Sequence, residues 1–148
     1  MKLLLIGFLL PTLALAADLT GRWRNTGDGT VVNFLRVGGQ IHQYNSSNYT
    51  DQWGRLQYKI DQRLTLPATG EERLSGVASF YDSRGCSFKD LPVTLEFQSD
   101  VTINVLMTVP RYKFQTLTER RDRYSPPTVR TRCRILEYVE VPVELVKW

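Results

Sequence analysis

Between Arg55 and Leu66 apolar and polar residues alternate almost without a break. A period of two is what a chain shows when successive side chains leave a β-strand on opposite faces. Leu56, Tyr58, Ile60, Leu64 and Leu66 share one face with Gln62, while Arg55, Gln57, Lys59, Asp61, Arg63 and Thr65 share the other. Such a strand is buried on one side and wet on the other, the pattern of antiparallel rather than parallel sheets. The period returns at Val93, Leu95 and Phe97 and, after a tight Ser99-Asp100 corner, at Val101, Ile103, Val105, Met107 and Val109, which reads as a hairpin.

Further strands are predicted at Thr20–Asn25, Val31–Val37, Gln40–Asn45, Leu74–Tyr81, Tyr112–Thr118 and Val129–Val146, the last with a break at Pro142. Thr26 to Gly29, Gly38-Gly39, Pro67 to Gly70, Asp82 to Gly85 and Ser125-Pro126-Pro127 supply the turn chemistry between them. The best helical candidate, Thr116 to Tyr124, has a capping pair in Thr116 and Glu119 but no core-facing stripe. The chain is therefore expected to be all-β, a single antiparallel meander β-barrel of about eight strands, with a β-sandwich as the alternative. Closure is favoured because it removes the strand edges that would recruit other chains.

The first residues carry a different message. Lys2 precedes an apolar run from Leu3 to Leu10, continuing through Pro11 to the small-residue end Ala14-Leu15-Ala16. That is the build of a secretory leader, too short to span a bilayer, with cleavage expected before Ala17 or one bond later. Residues 1–16 are read as signal peptide and 17–148 as one domain, periplasmic or secreted and not integral to a membrane. The formal charge of +4 becomes +3 once Lys2 leaves, too small an excess to call for nucleic acid. In an oxidising compartment Cys86 and Cys133, the only cysteines, are expected to pair, separate buried thiols being the alternative.

Leu19-Thr20-Gly21-Arg22-Trp23-Arg24-Asn25 resembles the opening strand of the calycins, the group of lipocalins, fatty-acid-binding proteins and avidins. The resemblance implies a barrel with Trp23 plugging one end. In avidins the matching Asn contacts the ureido oxygen of biotin, which would make Asn25 a ligand residue. Avidin pockets also use several Trp from later strands, whereas this chain has only Trp53 and Trp148 besides Trp23, so the architecture carries over and biotin does not.

Catalytic constellations are scarce. His42 is the single histidine, and there is no Cys-x-x-Cys, phosphate-cradling loop or nucleophile elbow. A binding protein without cofactor or metal is expected, not an enzyme. The leading expectation is a small apolar or amphipathic ligand inside the barrel, touched by Asn25, Tyr58, Phe80 and Phe97. The alternative is a protein-binding inhibitor or envelope adaptor that works through its loops and an arginine-rich hairpin. In that hairpin Arg120, Arg121 and Arg123 precede Ser125-Pro126-Pro127, and Arg130, Arg132 and Arg134 follow it at a spacing that places all three on one face. Guanidinium clusters of this kind suit phosphate or carboxylate, or simply solvate an edge. Asn45-Ser46-Ser47 and Asn48-Tyr49-Thr50 fit the glycosylation sequon and are read as surface loop.

Overall fold

The computed structural model describes residues 18–68 and 72–148; the residues read above as a leader, with the expected cleavage site, lie outside them. Eight strands follow one another: β1 (Gly21–Asn25), β2 (Val31–Val37), β3 (Gln40–Thr50), β4 (Leu56–Pro67), β5 (Arg73–Asp82), β6 (Ser87–Ser99), β7 (Thr102–Glu119) and β8 (Thr128–Lys147). Each pairs antiparallel with the next, and β1 pairs with β8 through Trp23 opposite Lys147 and Asn25 opposite Leu145. The meander thus closes into one continuous sheet rather than two facing ones. Among the described residues no helix is long and apolar enough to cross a membrane.

The buried residues follow the alternation. Ile41, Leu64, Leu66, Leu74, Ala78, Val93, Leu95, Ile103, Val105 and Leu145 form one cluster inside the ring, joined by Val32 and Phe34. Trp23 is 0% exposed; its Nε1–H donates to the Leu19 carbonyl at 2.8 Å, and the edge of its ring meets Phe97 with centroids 6.4 Å apart. A large indole with its one donor satisfied fills this end of the ring without stranding a polar atom. Gly21, which opens the motif, sits at φ +110°, a conformation that other L-residues rarely adopt.

Three expectations change. Asn45 to Thr50 belongs to β3 rather than to a loop, paired with β4 through Tyr49 opposite Tyr58 and, after a register shift, Thr50 opposite Leu56. Val101–Val109 and Tyr112–Thr118 are one strand, β7, with a register shift between Arg111 and Tyr112 that leaves Leu136 of β8 unpaired. Pro142 does not break β8. The reason lies in where its missing N–H would point. Thr26 N–H donates to the Glu144 carbonyl on the β1 side, while Lys147 N–H donates to Val101 on the β7 side. Even-numbered residues near Pro142 therefore turn their backbone groups away from β7. Since β1 pairs with β8 only over Leu145–Lys147, Pro142 deprives no neighbour of a bond. The same parity turns Pro110 toward the β6 side of β7, where pairing with β6 has already stopped at Met107.

Candidate functional site

The hairpin of β7 and β8 is longer than the ring that carries it. Past Met107 and before Leu145 these strands pair only with each other, down to Glu119 opposite Thr128, and so form an arm. Beyond the register shift its faces are distinct. Tyr112 opposes Ile135 and Phe114 opposes Cys133 on one face; Lys113, Gln115 and Leu117 oppose Arg134, Arg132 and Arg130 on the other.

The first face is fastened to the β5–β6 turn. Cys86 and Cys133 form the expected disulfide, 47 residues apart in sequence. Asp82, almost fully buried, accepts from Tyr112 Oη at 2.5 Å and from Arg84 Nη2 at 2.9 Å through Oδ2, and from the Arg84 backbone N–H at 2.8 Å through Oδ1. The Arg84 guanidinium lies 3.9 Å from the Tyr58 ring centroid and 4.5 Å from that of Phe114. Burial works against the Asp82 carboxylate, but the hydrogen bonds from Arg84 and Tyr112 outweigh it and hold the group below the usual carboxylate range. Burial, then the bond to Asp82, pushes the Tyr112 hydroxyl up to about 12. The same ion pair raises Arg84.

The second face is basic and open. All six arginines of the hairpin are exposed, as is Tyr124 at the tip (90%). Residues 119–134 hold six arginines against Glu119 and Asp122, a local excess of +4 that equals the formal charge of the entire chain. The distal part of the arm therefore carries the asymmetry, and the rest of the chain is close to balanced. Among the described residues only Arg130 of these six has a carboxylate near, with Glu119 at 3.8 Å across the strands, while Asp122 accepts the backbone N–H groups of Tyr124 and Ser125.

The interior candidates do not converge on one wall. Phe97 packs at the Trp23 end, Phe80 is core, and Tyr58 belongs to the Arg84 stack with Tyr49 on it at 4.6 Å. Asn25 alone lines a cavity of about 320 Å³ at the opposite end of the ring, with Gln43, Gln62 and Met107. His42 stacks beside Tyr44, centroids 6.3 Å apart, away from that cavity. Asp82, Arg84 and Tyr112 were not singled out from sequence: an Asp-to-Gly turn explains the first two without any partner. Gln43 did carry a signal, since it alternates in step with the buried Ile41.

No known protein family matches this chain. Nor does any curated protein or solved structure, so the site has to be read from its own geometry. That geometry is a small, disulfide-stabilised all-β domain presenting a fastened, basic two-stranded arm. Such a surface can hold carboxylates or phosphates bidentately.

Proposed function

We propose that this chain is an exported interaction module, a protein-binding inhibitor or envelope adaptor, in which a calycin-like barrel serves as the base for the arginine arm. The observation that carries the reading is the concentration of the chain's charge excess on one projecting hairpin, held by a disulfide and by the hydrogen bond from Tyr112 to the buried Asp82. Ordering an arm costs conformational entropy, and fastening it in advance reduces what a partner has to supply on binding. The packed interior at the Trp23 end gives the arm a rigid base.

Both prolines bear on how a partner would bind. Pro110 and Pro142 stand on the free edges of β7 and β8, a placement that discourages strand addition, so the partner is expected to meet the arginine face rather than extend the sheet. Exposed arginines on a balanced background steer an acidic surface toward the tip, and contact through them weakens as salt screens it.

The test is a crosslinking pull-down from the chain's own host with wild-type protein and a variant carrying Arg→Ser at positions 120, 121, 123, 130, 132 and 134. A protein recovered by the wild type and lost with the variant, while circular dichroism and Tm are unchanged, supports the reading. Equal recovery by both, or recovery that is indifferent to salt, refutes it.

A further inference from the structure

The outer surface of the ring carries a complement to the arm. Leu95, Val105 and Leu145 are buried, so by alternation Glu96, Leu106 and Glu144 stand on the solvent face of β6, β7 and β8. Register sets these side chains in rows. Arg73, Glu96, Asn104 and Glu144 lie side by side, Thr94, Leu106 and Pro142 form the next row, and Glu140 follows opposite Thr108. A shallow groove of about 450 Å³ runs here, lined by Thr94, Leu106 and Pro142 together with Glu96, Glu144 and Arg73. Among the described residues Glu96, Glu140 and Glu144 make no ion pair, and Arg73 is the one cation lining the groove.

The arginine face matches this surface in charge and in spacing. Arg130 and Arg134 stand four residues apart on β8, as do Glu140 and Glu144 farther along the same strand. Four residues of strand span about 13 Å, so two guanidiniums can meet two carboxylates while Arg132 lies between them. There its stem would cover Leu106 and Pro142 and leave its head in water. The arm cannot reach the groove of its own ring. In a meander, links after odd-numbered strands leave one end and links after even-numbered strands leave the other. The arm springs from the first end, where the disulfide holds it to the β5–β6 turn. Glu96 and Glu144 lie toward the second, beside the β6–β7 turn, where Lys147 N–H donates to the Val101 carbonyl.

We propose that the groove receives the arginine face of a second copy of this chain, head to tail, with Arg130 and Arg134 paired to the two β8 carboxylates. The proposal rests on the reading of the arginine face as the contact surface and adds its occupant at rest: copies hold one another's arms until a more acidic partner displaces them. Because the two surfaces differ, each copy keeps one arm and one groove free for the next.

Sedimentation velocity on the domain of residues 17–148, disulfide intact, is the test. At about 50 mM salt the wild type is expected to associate with a Kd on the order of 100 μM, as suits a small contact made by exposed ion pairs. Raising salt to about 500 mM should weaken it at least about tenfold. Two variants separate the surfaces: Arg130→Ser with Arg132→Ser and Arg134→Ser removes the face of the arm, and Glu96→Gln with Glu140→Gln and Glu144→Gln removes the charge of the groove. Each alone is expected to be monomeric with Tm unchanged. Mixed in equal amounts they should form a one-to-one complex and nothing larger, since one intact arm then meets one intact groove, which also shows that both are folded. A wild type still monomeric at about 1 mM, a groove variant that associates as the wild type does, or a mixture that stays monomeric would overturn the proposal. A monomeric wild type that still recovers an arginine-dependent protein in the pull-down overturns this proposal and leaves the reading of the arm standing. Arginine-dependent self-association with no such protein recovered supports the proposal and refutes the external partner.

Discussion

Replacing both Cys86 and Cys133 by Ser tests whether the arm is part of the cooperative fold or merely attached to it. The two cysteines are 47 residues apart, and the loop they close contains β6, β7 and the arm's tip. In the chain-entropy treatment, a closed loop of that length restricts the unfolded chain enough to stabilise the native state by about 4 kcal/mol. For a domain of this size a loss of about 4 kcal/mol lowers Tm by about 12–20 °C. Urea titration at pH 7 should show the midpoint falling in a single transition with the m-value somewhat raised, because the uncrosslinked unfolded chain exposes more surface. Trypsin offers a residue-level readout. In the wild type the strands that hold Arg130, Arg132 and Arg134 are paired and fastened, so cleavage within the arm should be confined to the tip at Arg120, Arg121 and Arg123. In the double variant cleavage should spread to the three arginines of β8. A stability loss below about 1 kcal/mol would refute the reasoning, because a disulfide joining two cooperative parts of the fold is worth several times that.

Two further substitutions and a pH series address the fold beneath the arm. Gly76→Ala would place a Cβ 2.1 Å from the Thr65 carbonyl oxygen and 2.8 Å from Leu66 Cδ2, so β4 would have to move; a loss of about 3 kcal/mol is expected in urea unfolding. Gly39→Ala meets open space and should stay within about 0.5 kcal/mol, and equal effects of the two would contradict the packing of β4 against β5. Asp82, with its folded-state pKa lowered, stabilises the fold above the ordinary carboxylate value and loses that contribution as pH falls below about 4. Tyr112, with its value raised, contributes fully below about pH 10 and loses its contribution as pH climbs toward about 12. Stability measured by urea titration across the pH range should therefore fall at both extremes, and Tyr112→Phe should flatten the alkaline side; an unchanged alkaline fall in that variant would remove the phenol from the account.

How much of this was legible in the sequence depends on whether the deciding interaction was local. The face of β4 could be read directly, because alternation reports which side of a strand is wet and Leu64 and Leu66 are buried accordingly. Gln62 on that same apolar face was the visible mark of the cavity, though Gln43, which lies diagonal to it, is on another strand, and their neighbourhood is a matter of register. The disulfide was expected because residues 1–16 read as a leader into an oxidising compartment, and Cys86 and Cys133 are indeed bonded. The arginine hairpin could be read from its spacing, but the length of its strands could not, for a physical reason: Pro142 reads as a break and Pro110 falls in the gap between two predicted strands, because a proline lacks the donor that a central strand requires. They are tolerated because the neighbouring strands are shorter than the hairpin, and no periodicity within β7 or β8 encodes the lengths of β1 and β6.

The same mismatch in length explains why the site is where it is. A ring whose strands all had equal length would pair every backbone group and present only its loops. Here β1 has five residues and β8 has twenty, so most of β8 is left with β7 as its sole neighbour. A two-stranded ribbon in water is marginal by itself. The Asp82, Arg84 and Tyr112 cluster, the Phe114 contact and the disulfide supply on one face what missing neighbours would have supplied at the edges. That arrangement frees the other face from any packing duty. Arginines there cost the fold little, which is why a concentration of charge that would be destabilising in the ring can be maintained on the arm, facing solvent and available to a partner.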